Sequence, residues 1–206
     1  GTDDEFCFSY TPLTPSHVHN ASLLGAALLA RVCAHEDIDE FRSAAMAAAR
    51  HSMHRQNPDG SWPYGEHKTQ QWVDSFHTGY NLLALRDIWK SLGSGEARDS
   101  LLKGFGYYRR AFFPGGGIVR YFNERTYPID THAVAHAILT LAELRGLDPT
   151  NMSLAQSILD WAVRHMRHPS GYFYYQKWPF LTNRISYMRW TQAWMLYAMA
   201  CFQDAA

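Results

Sequence analysis

Four stretches of the chain are apolar or aromatic nearly all the way round, at residues 21–34, 72–88, 133–144 and 190–202. Others, such as residues 41–50 and 153–167, mix charges with a single apolar stripe. A helix with one apolar stripe lies on a surface, whereas a helix without a wet face is enclosed. The 3.6-residue periodicity predicts seven helices, near 17–34, 38–54, 71–91, 95–111, 130–146, 150–167 and 185–203. Local signals mark their ends: Asp37 or Asp39 opens the second, Ser94 the fourth, and Pro149 with Thr150 the sixth, while Gly93 and Gly146 act as stops. Short connections make successive helices antiparallel neighbours. Enclosed and surface helices alternate, which describes an all-α chain of inner and outer helices, an α/α toroid arc. A closed ring of about six pairs would take about twelve helices. The expectation is therefore one domain over residues 1–206 that is either an open arc or one part of a longer protein.

The connections repeat. A basic or His-containing helix end, a glycine turn and then aromatics recur at residues 54–64, 109–122 and 167–175. The turn glycines Gly60, Gly117 and Gly171 stand 57 and 54 positions apart. About 55 residues accommodate two helices of about 15–20 residues with their connections. Aromatic segments after these glycines, such as residues 171–175, predict small hairpin strands. Gly115-Gly116-Gly117 precedes a strand-like stretch, so it reads as a turn and not as a phosphate cradle.

Composition narrows the function classes. Hydrophobic residues fill 47% of the 206 positions and charged residues 18%, which builds a core and excludes a disordered chain. The 19 Lys and Arg balance 19 Asp and Glu, and without a basic excess the chain lacks the electrostatic footprint of a nucleic-acid binder. The longest apolar stretch, 21–34, is too short and too Ala-rich to span a bilayer. Cys7, Cys33 and Cys201 are odd in number, far apart and without metal spacing, as expected of reduced thiols in a cytoplasmic setting. Gly1-Thr2 reads as a processing junction. Aromatics reach 15%, a density that serves either a large core or a groove that stacks ligand rings.

Polar residues interrupt the enclosed helices at one place, their first turns: Ser16, His17, His19 and Asn20; Asp74, Ser75 and His77; Asp130, Thr131, His132 and His136; Arg189, Trp190 and Gln192. If the enclosed helices run parallel to one another, these groups share a rim beside the aromatic turns. Each has a structural reading as well. Asp74 and Asp130 suit first turns, where a carboxylate meets free amides and the helix dipole. As two carboxylates across a cleft they also suit acid/base work on a glycosidic bond. His77 and His132 are either satisfied core histidines or proton carriers, and the i,i+3 pair Asp74/His77 is either a tuned base or a local hydrogen bond. Arg189, set between Met188 and Trp190, calls for a partner, for which a substrate carboxylate or Asp130 would serve. Trp62 and Trp72 are sugar platforms or core; Tyr80, Tyr187, Trp190 and Gln192 complete the candidate substrate contacts. Tyr172, Tyr174 and Tyr175 read as turn packing. His17/His19 and His132/His136 lack the supporting donors of a metal site, although the second spacing reaches one ion, and no metal or cofactor is expected. Nucleophile elbows, dinucleotide fingerprints and Asp-rich diphosphate motifs do not occur.

Asp59-Gly60-Ser61-Trp62-Pro63-Tyr64, Trp72-Val73-Asp74-Ser75-Phe76-His77-Thr78-Gly79-Tyr80, Tyr127-Pro128-Ile129-Asp130-Thr131-His132 and Tyr187-Met188-Arg189-Trp190-Thr191-Gln192-Ala193-Trp194 together resemble a bacterial family of α/α-toroid proteins associated with polysaccharide biosynthesis. Its members occur in capsule and exopolysaccharide gene clusters, and some carry an aminolevulinate dehydratase label. The resemblance spans about residues 9–199 and implies a polysaccharide context; members of the family extend further on the N-terminal side, which implies that this chain is the C-terminal part of a longer protein. The dehydratase label finds no support, since no Lys sits as a Schiff-base nucleophile and no strand–helix alternation suggests a β/α barrel. Gln56 ahead of Asp59-Gly60-Ser61-Trp62 is also similar, once, to the Gln-Trp repeats of terpenoid cyclase and prenyltransferase toroids, a likeness of fold.

The expectation is a carbohydrate-active protein of bacterial surface-polysaccharide metabolism that acts on or binds an acidic oligosaccharide or polysaccharide, as a hydrolase, lyase or epimerase. Asp74 and Asp130 would be acid and base, His77 and His132 would tune or carry protons, and Arg189 would hold the acidic sugar. Expected partners are the saccharide and a preceding domain of the same protein. Two alternatives stay open: a non-catalytic saccharide-binding or scaffolding module, and an isoprenoid-binding toroid.

Overall fold

A computed structural model describes residues 4–206; Gly1 and Thr2, read above as a processing junction, lie outside them. Seven α-helices occur among the described residues: α1 (His19–Cys33), α2 (Asp39–His54), α3 (Ser75–Leu92), α4 (Gly95–Ala111), α5 (Thr131–Glu143), α6 (Asn151–His165) and α7 (Ala193–Ala205). Short strands join them: β1 (Ser9–Thr11), β2 (Thr14–His17), β3 (Ile129–Asp130), β4 (Gln176–Lys177) and β5 (Thr182–Asn183). The chain divides into two compact units. One comprises the residues through Val73 with Tyr80–Tyr108, the other Asp74–Gly79 with Arg109–Ala206.

Three boundaries differ from the periodicity, each for a local reason. The third helix starts at Ser75 rather than 71 because Asp74 caps it, accepting the His77 amide at 2.9 Å. Residues 188–192 form a π-turn ahead of α7, in which the amides of Thr191 and Gln192 both reach the Tyr187 carbonyl, at 3.0 and 3.2 Å. Neither Asp37 nor Asp39 caps α2, whose N-cap is Ile38; Asp37 is taken by Arg42 at 2.5 Å. Ser94 does cap α4, its hydroxyl accepting the Ala97 amide at 3.2 Å.

In the first unit α1 packs on α2 through alanines, Ala26, Ala27 and Ala30 on one side and Ala45, Ala48 and Ala49 on the other, all buried. The Trp62 ring lies against Gly104 of α4 so closely that a Cβ there would stand 2.6 Å from it. In the second unit α5 packs against both α6 and α7, and residues 131–142 are buried on every face, as an enclosed helix should be. β3, β4 and β5 form an antiparallel sheet that sets Asp130 opposite Gln176. By contrast α1 and α7, equally apolar in sequence, leave Leu28 and Leu196 about two-thirds exposed (64% and 67%).

The repeat is visible in the backbone. Gly60, Gly117 and Gly171 all take positive φ, +99°, +77° and +103°, where an L side chain is strained. A Cβ on Gly60 would collide with the Lys103 carbonyl of α4, and one on Gly117 with the Ser157 carbonyl of α6. Two turns thus pack on the following surface helix in the same way. Among the described residues no helix is long and apolar enough to cross a membrane.

Candidate functional site

Asp74 and Asp130 occupy equivalent places, each ending an extended segment and opening a helix. The Asp74 backbone bridges to Phe122, and the Ser75 amide donates to the Tyr121 carbonyl at 2.9 Å. Its carboxylate is fully buried: Oδ1 accepts the His77 amide, and Oδ2 lies 2.6 Å from His77 Nδ1. A carboxylate only accepts, so Nδ1 carries the imidazole proton and Nε2 is left as the basic nitrogen. His77, with a side chain 20% exposed, is the wetter partner.

Asp130 is 0% exposed. Its Oδ1 accepts the His132 amide at 2.8 Å and its Oδ2 accepts Nε2 of Gln176 at 2.8 Å. Burial raises its pKa above 3.8, outweighing Gln176 and the amides of His132 and Ala133, which favour the charge. A carboxyl whose proton is held more tightly than usual is equipped to donate it.

The ring of Phe76 gathers the site. Ring centroids lie 4.0 Å away for His77, 4.8 Å for His132, 5.5 Å for Tyr121 and 6.1 Å for Trp190. His132 is sandwiched between Phe76 and Trp194, with the Trp190 ring T-shaped to it, centroids 4.3 Å apart. Burial, helped by the charge of His77, holds the His132 pKa down to about 4, so its imidazole is neutral near pH 7. The Tyr121 hydroxyl is pushed up by burial and by the charges of both Asp74 and Asp130, which places one phenol in the field of the two carboxylates. Gly79 lets the first turn of α3 approach α5: a Cβ there would stand 2.5 Å from Nδ1 of His136. His136, completely buried, bonds Thr140 Oγ1 at 3.1 Å, and burial drives its pKa well below 6.5.

No protein-family model matches the sequence, and no curated protein matches it either. The fold is shared with solved carbohydrate-active enzymes. The unsaturated glucuronyl hydrolase of Bacillus sp. GL1, described as responsible for degradation of glycosaminoglycan, is similar at TM-score 0.70 and 15% identity over 98% of this chain and 62% of that one. A family 105 glycoside hydrolase of C. acetobutylicum ATCC 824 gives TM-score 0.72 and 10% identity over 96% and 68%. The cellobiose 2-epimerase of Bacillus thermoamylovorans B4167 gives 0.70 and 12% over 92% and 53%. The likeness establishes the α/α-toroid fold, and the chain spans about three-fifths of the length of the glucuronyl hydrolases it matches.

The second unit therefore brings together Asp74, His77, Asp130, His132 and Trp190. Tyr187, 44% exposed, packs edge-on against Tyr175. Arg189 is exposed and, among the described residues, makes no ion pair. Asp130 does not serve it, being occupied by Gln176, so the guanidinium stays available beside the half-exposed Trp190. Gln192 is not free for substrate: its amide group bonds both the N–H and the C=O of Phe173, at 2.8 and 2.7 Å. Three other expected contacts belong to the first unit. Trp62 is core, 2% exposed, with its indole N–H on the Ser52 carbonyl, so it has no free face for a sugar. Trp72 is 38% exposed and stacks on Tyr64, 4.7 Å apart. Tyr80 lies on α3 with its hydroxyl pKa pushed up by burial. The ring centroids of His132 and His136 are 6.4 Å apart, and His136 bonds Thr140 through Nδ1.

The sequence reading missed Phe76, Tyr121, Gln176 and Trp194. Phe76 and Trp194 merge into apolar helix faces. Tyr121 and Gln176 follow the glycine turns, and their register was the available clue: each comes 4 or 5 residues after Gly117 or Gly171.

Proposed function

We propose that this chain, alone or within a longer protein, is an enzyme acting on an acidic oligosaccharide or polysaccharide, of hydrolase, lyase or epimerase type, in bacterial surface-polysaccharide metabolism. The observation that carries the reading is the meeting of two buried first-turn carboxylates around Phe76 and Tyr121, one of them, Asp130, biased toward its protonated form. Asp130 would donate a proton to the leaving or reacting oxygen. The Asp74–His77 pair would take one, Asp74 fixing the tautomer that leaves Nε2 of His77 basic. Arg189 would hold the sugar carboxylate, with Trp190 and Tyr187 as stacking surfaces. His132 would stay neutral and keep Phe76, Trp190 and Trp194 in place. Unsaturated glucuronyl hydrolases and an epimerase among proteins of the same fold support a sugar as substrate, and three free cysteines agree with action in the cytoplasm.

A non-catalytic saccharide-binding role has its own support, because one oxygen of each carboxylate is engaged as a helix cap. A panel of uronate-containing oligosaccharides, with products identified by mass, separates the two. New products that disappear in Asp74→Asn and Asp130→Asn establish the enzyme; binding without any product establishes the module.

A further inference from the structure

The first unit holds a second cluster that this reading does not use. His17 ends β2, His51 lies on α2, and Glu66 follows the bridge between Val18 and Gly65. The backbone fixes two of them together, the Glu66 amide donating to the His17 carbonyl at 3.0 Å. Glu66 Oε2 is 3.0 Å from His17 Nδ1, and Oε1 is 2.6 Å from His51 Nε2. The three donor atoms all lie within 4.8 Å of one another. We propose that His17, His51 and Glu66 form a binding site for one divalent transition-metal ion, with zinc as its best fit.

Two imidazoles and a carboxylate are a borderline donor set that suits zinc, and three protein ligands leave a fourth position for water. Donors around a tetrahedral zinc lie about 3.3–3.5 Å apart, since each bond is about 2.0–2.2 Å. The trio is thus within about 1.5 Å of that spread. Binding requires the two facing ring nitrogens to offer lone pairs, so each imidazole proton moves to its other nitrogen.

Arg55 is the apparent obstacle, with Nε 2.7 Å from Glu66 Oε1. It also contacts Glu5 at 3.4 Å, which carries a second negative charge and in turn meets His54 at 3.0 Å. Glu5 offsets the guanidinium and leaves the charge of Glu66 to the ion. Arg55 then holds Oε1 from outside while Oε2 faces His17, the usual arrangement around a metal carboxylate. His19 completes the surroundings: it is buried, feels the charges of Glu66, His51, Arg55 and His17, bonds Ser52 through Nδ1 at 3.2 Å, and has no partner on Nε2. His17, 46% exposed in its side chain, gives the ion a way in.

The site is independent of the carbohydrate reading, and its test needs no substrate. The full chain, stripped with EDTA, is titrated calorimetrically with zinc chloride at pH 7.5. We expect one equivalent per chain, and a melting temperature raised by zinc and lowered again by EDTA. His17→Ala, which alters an exposed side chain, and Glu66→Gln should each weaken binding at least about tenfold, with helicity by circular dichroism unchanged. Absence of stoichiometric zinc binding by the unaltered chain would overturn the site, as would affinity unchanged in both variants.

Discussion

Asp130→Asn isolates charge from shape. Asn caps a helix about as well as Asp, whereas Ala costs about 1 kcal/mol, so the bond from the His132 amide survives. The second contact survives too if the Gln176 amide turns over to accept from the new Asn N–H. Ionisation is what changes. Folding raises the pKa of Asp130 above 3.8, so the folded state binds the proton more tightly than the unfolded state. Its contribution to stability is therefore complete at acid pH and declines as pH rises through the folded value. The neutral variant does not bear that cost. Relative to the unaltered chain it should gain stability between pH 4 and pH 7, and urea unfolding at the two pH values measures the difference. Turnover on whichever oligosaccharide proves active should fall about 10²- to 10⁴-fold, the usual share of a general acid. Full turnover in a folded Asp130→Asn protein refutes the chemistry. A variant that loses more stability at pH 7 than at pH 4 refutes the electrostatic argument, because the charge would then be stabilising.

Arg189→Gln should raise KM for an acidic substrate about 10- to 100-fold, the worth of a charge-assisted hydrogen bond, with kcat nearly unchanged. An equal fall in kcat would show that Arg189 acts on the reacting atoms instead. His132→Phe keeps the ring stack but removes a base whose pKa falls to about 4 from 6.5 on folding. That neutral imidazole contributes stability above pH 6.5 that drains away as pH falls, by about 2 kcal/mol between pH 7 and pH 5. Urea midpoints of the variant should lose correspondingly less over that interval, and equal losses would count against the assignment. Gly117→Ala, at φ +77° and against the Ser157 carbonyl, should cost at least about 2 kcal/mol, whereas Gly116→Ala, at φ +62° with nothing within 4 Å, should cost only about 1–2 kcal/mol. Denaturant unfolding that ranks them the other way would remove the close-packed turn from the repeat.

Much of the architecture was legible because its signals are local. Ser94 caps from three residues away, and Gly60, Gly117 and Gly171 all sit at positive φ, where an L side chain is strained. The expected hairpins after these turns appear as the Arg167–Phe173 bridge and the β3–β4–β5 sheet. Failures began where distant contacts decide. Residues 185–187 continue the apolar pattern of α7, yet the chain enters it through a π-turn whose last residue, Gln192, bonds Phe173. Likewise Leu28 and Leu196 were read as enclosed from composition, which reports what a face can bury and not whether a neighbour covers it.

The candidate site was half legible for the same reason. Asp74 and Asp130 stand 14 and 13 residues after their turn glycines, so the repeat itself put both at helix starts. What separates the two carboxylates is not in the repeat. Asp74 is given His77 from its own first turn, a partner visible at i,i+3. Asp130 instead faces Gln176, 46 residues away, a neutral donor that satisfies an oxygen without matching its charge. One acid thus acquires a partner that can accept protons, and the other a setting that discourages ionisation. In the proposed reading, equivalent positions with unequal partners let a repeat yield an acid and a base, and no pattern of spacing tells which is which. The His17–His51–Glu66 trio makes the point more strongly: its members lie in a strand, a helix and a loop, and only folding makes them a group.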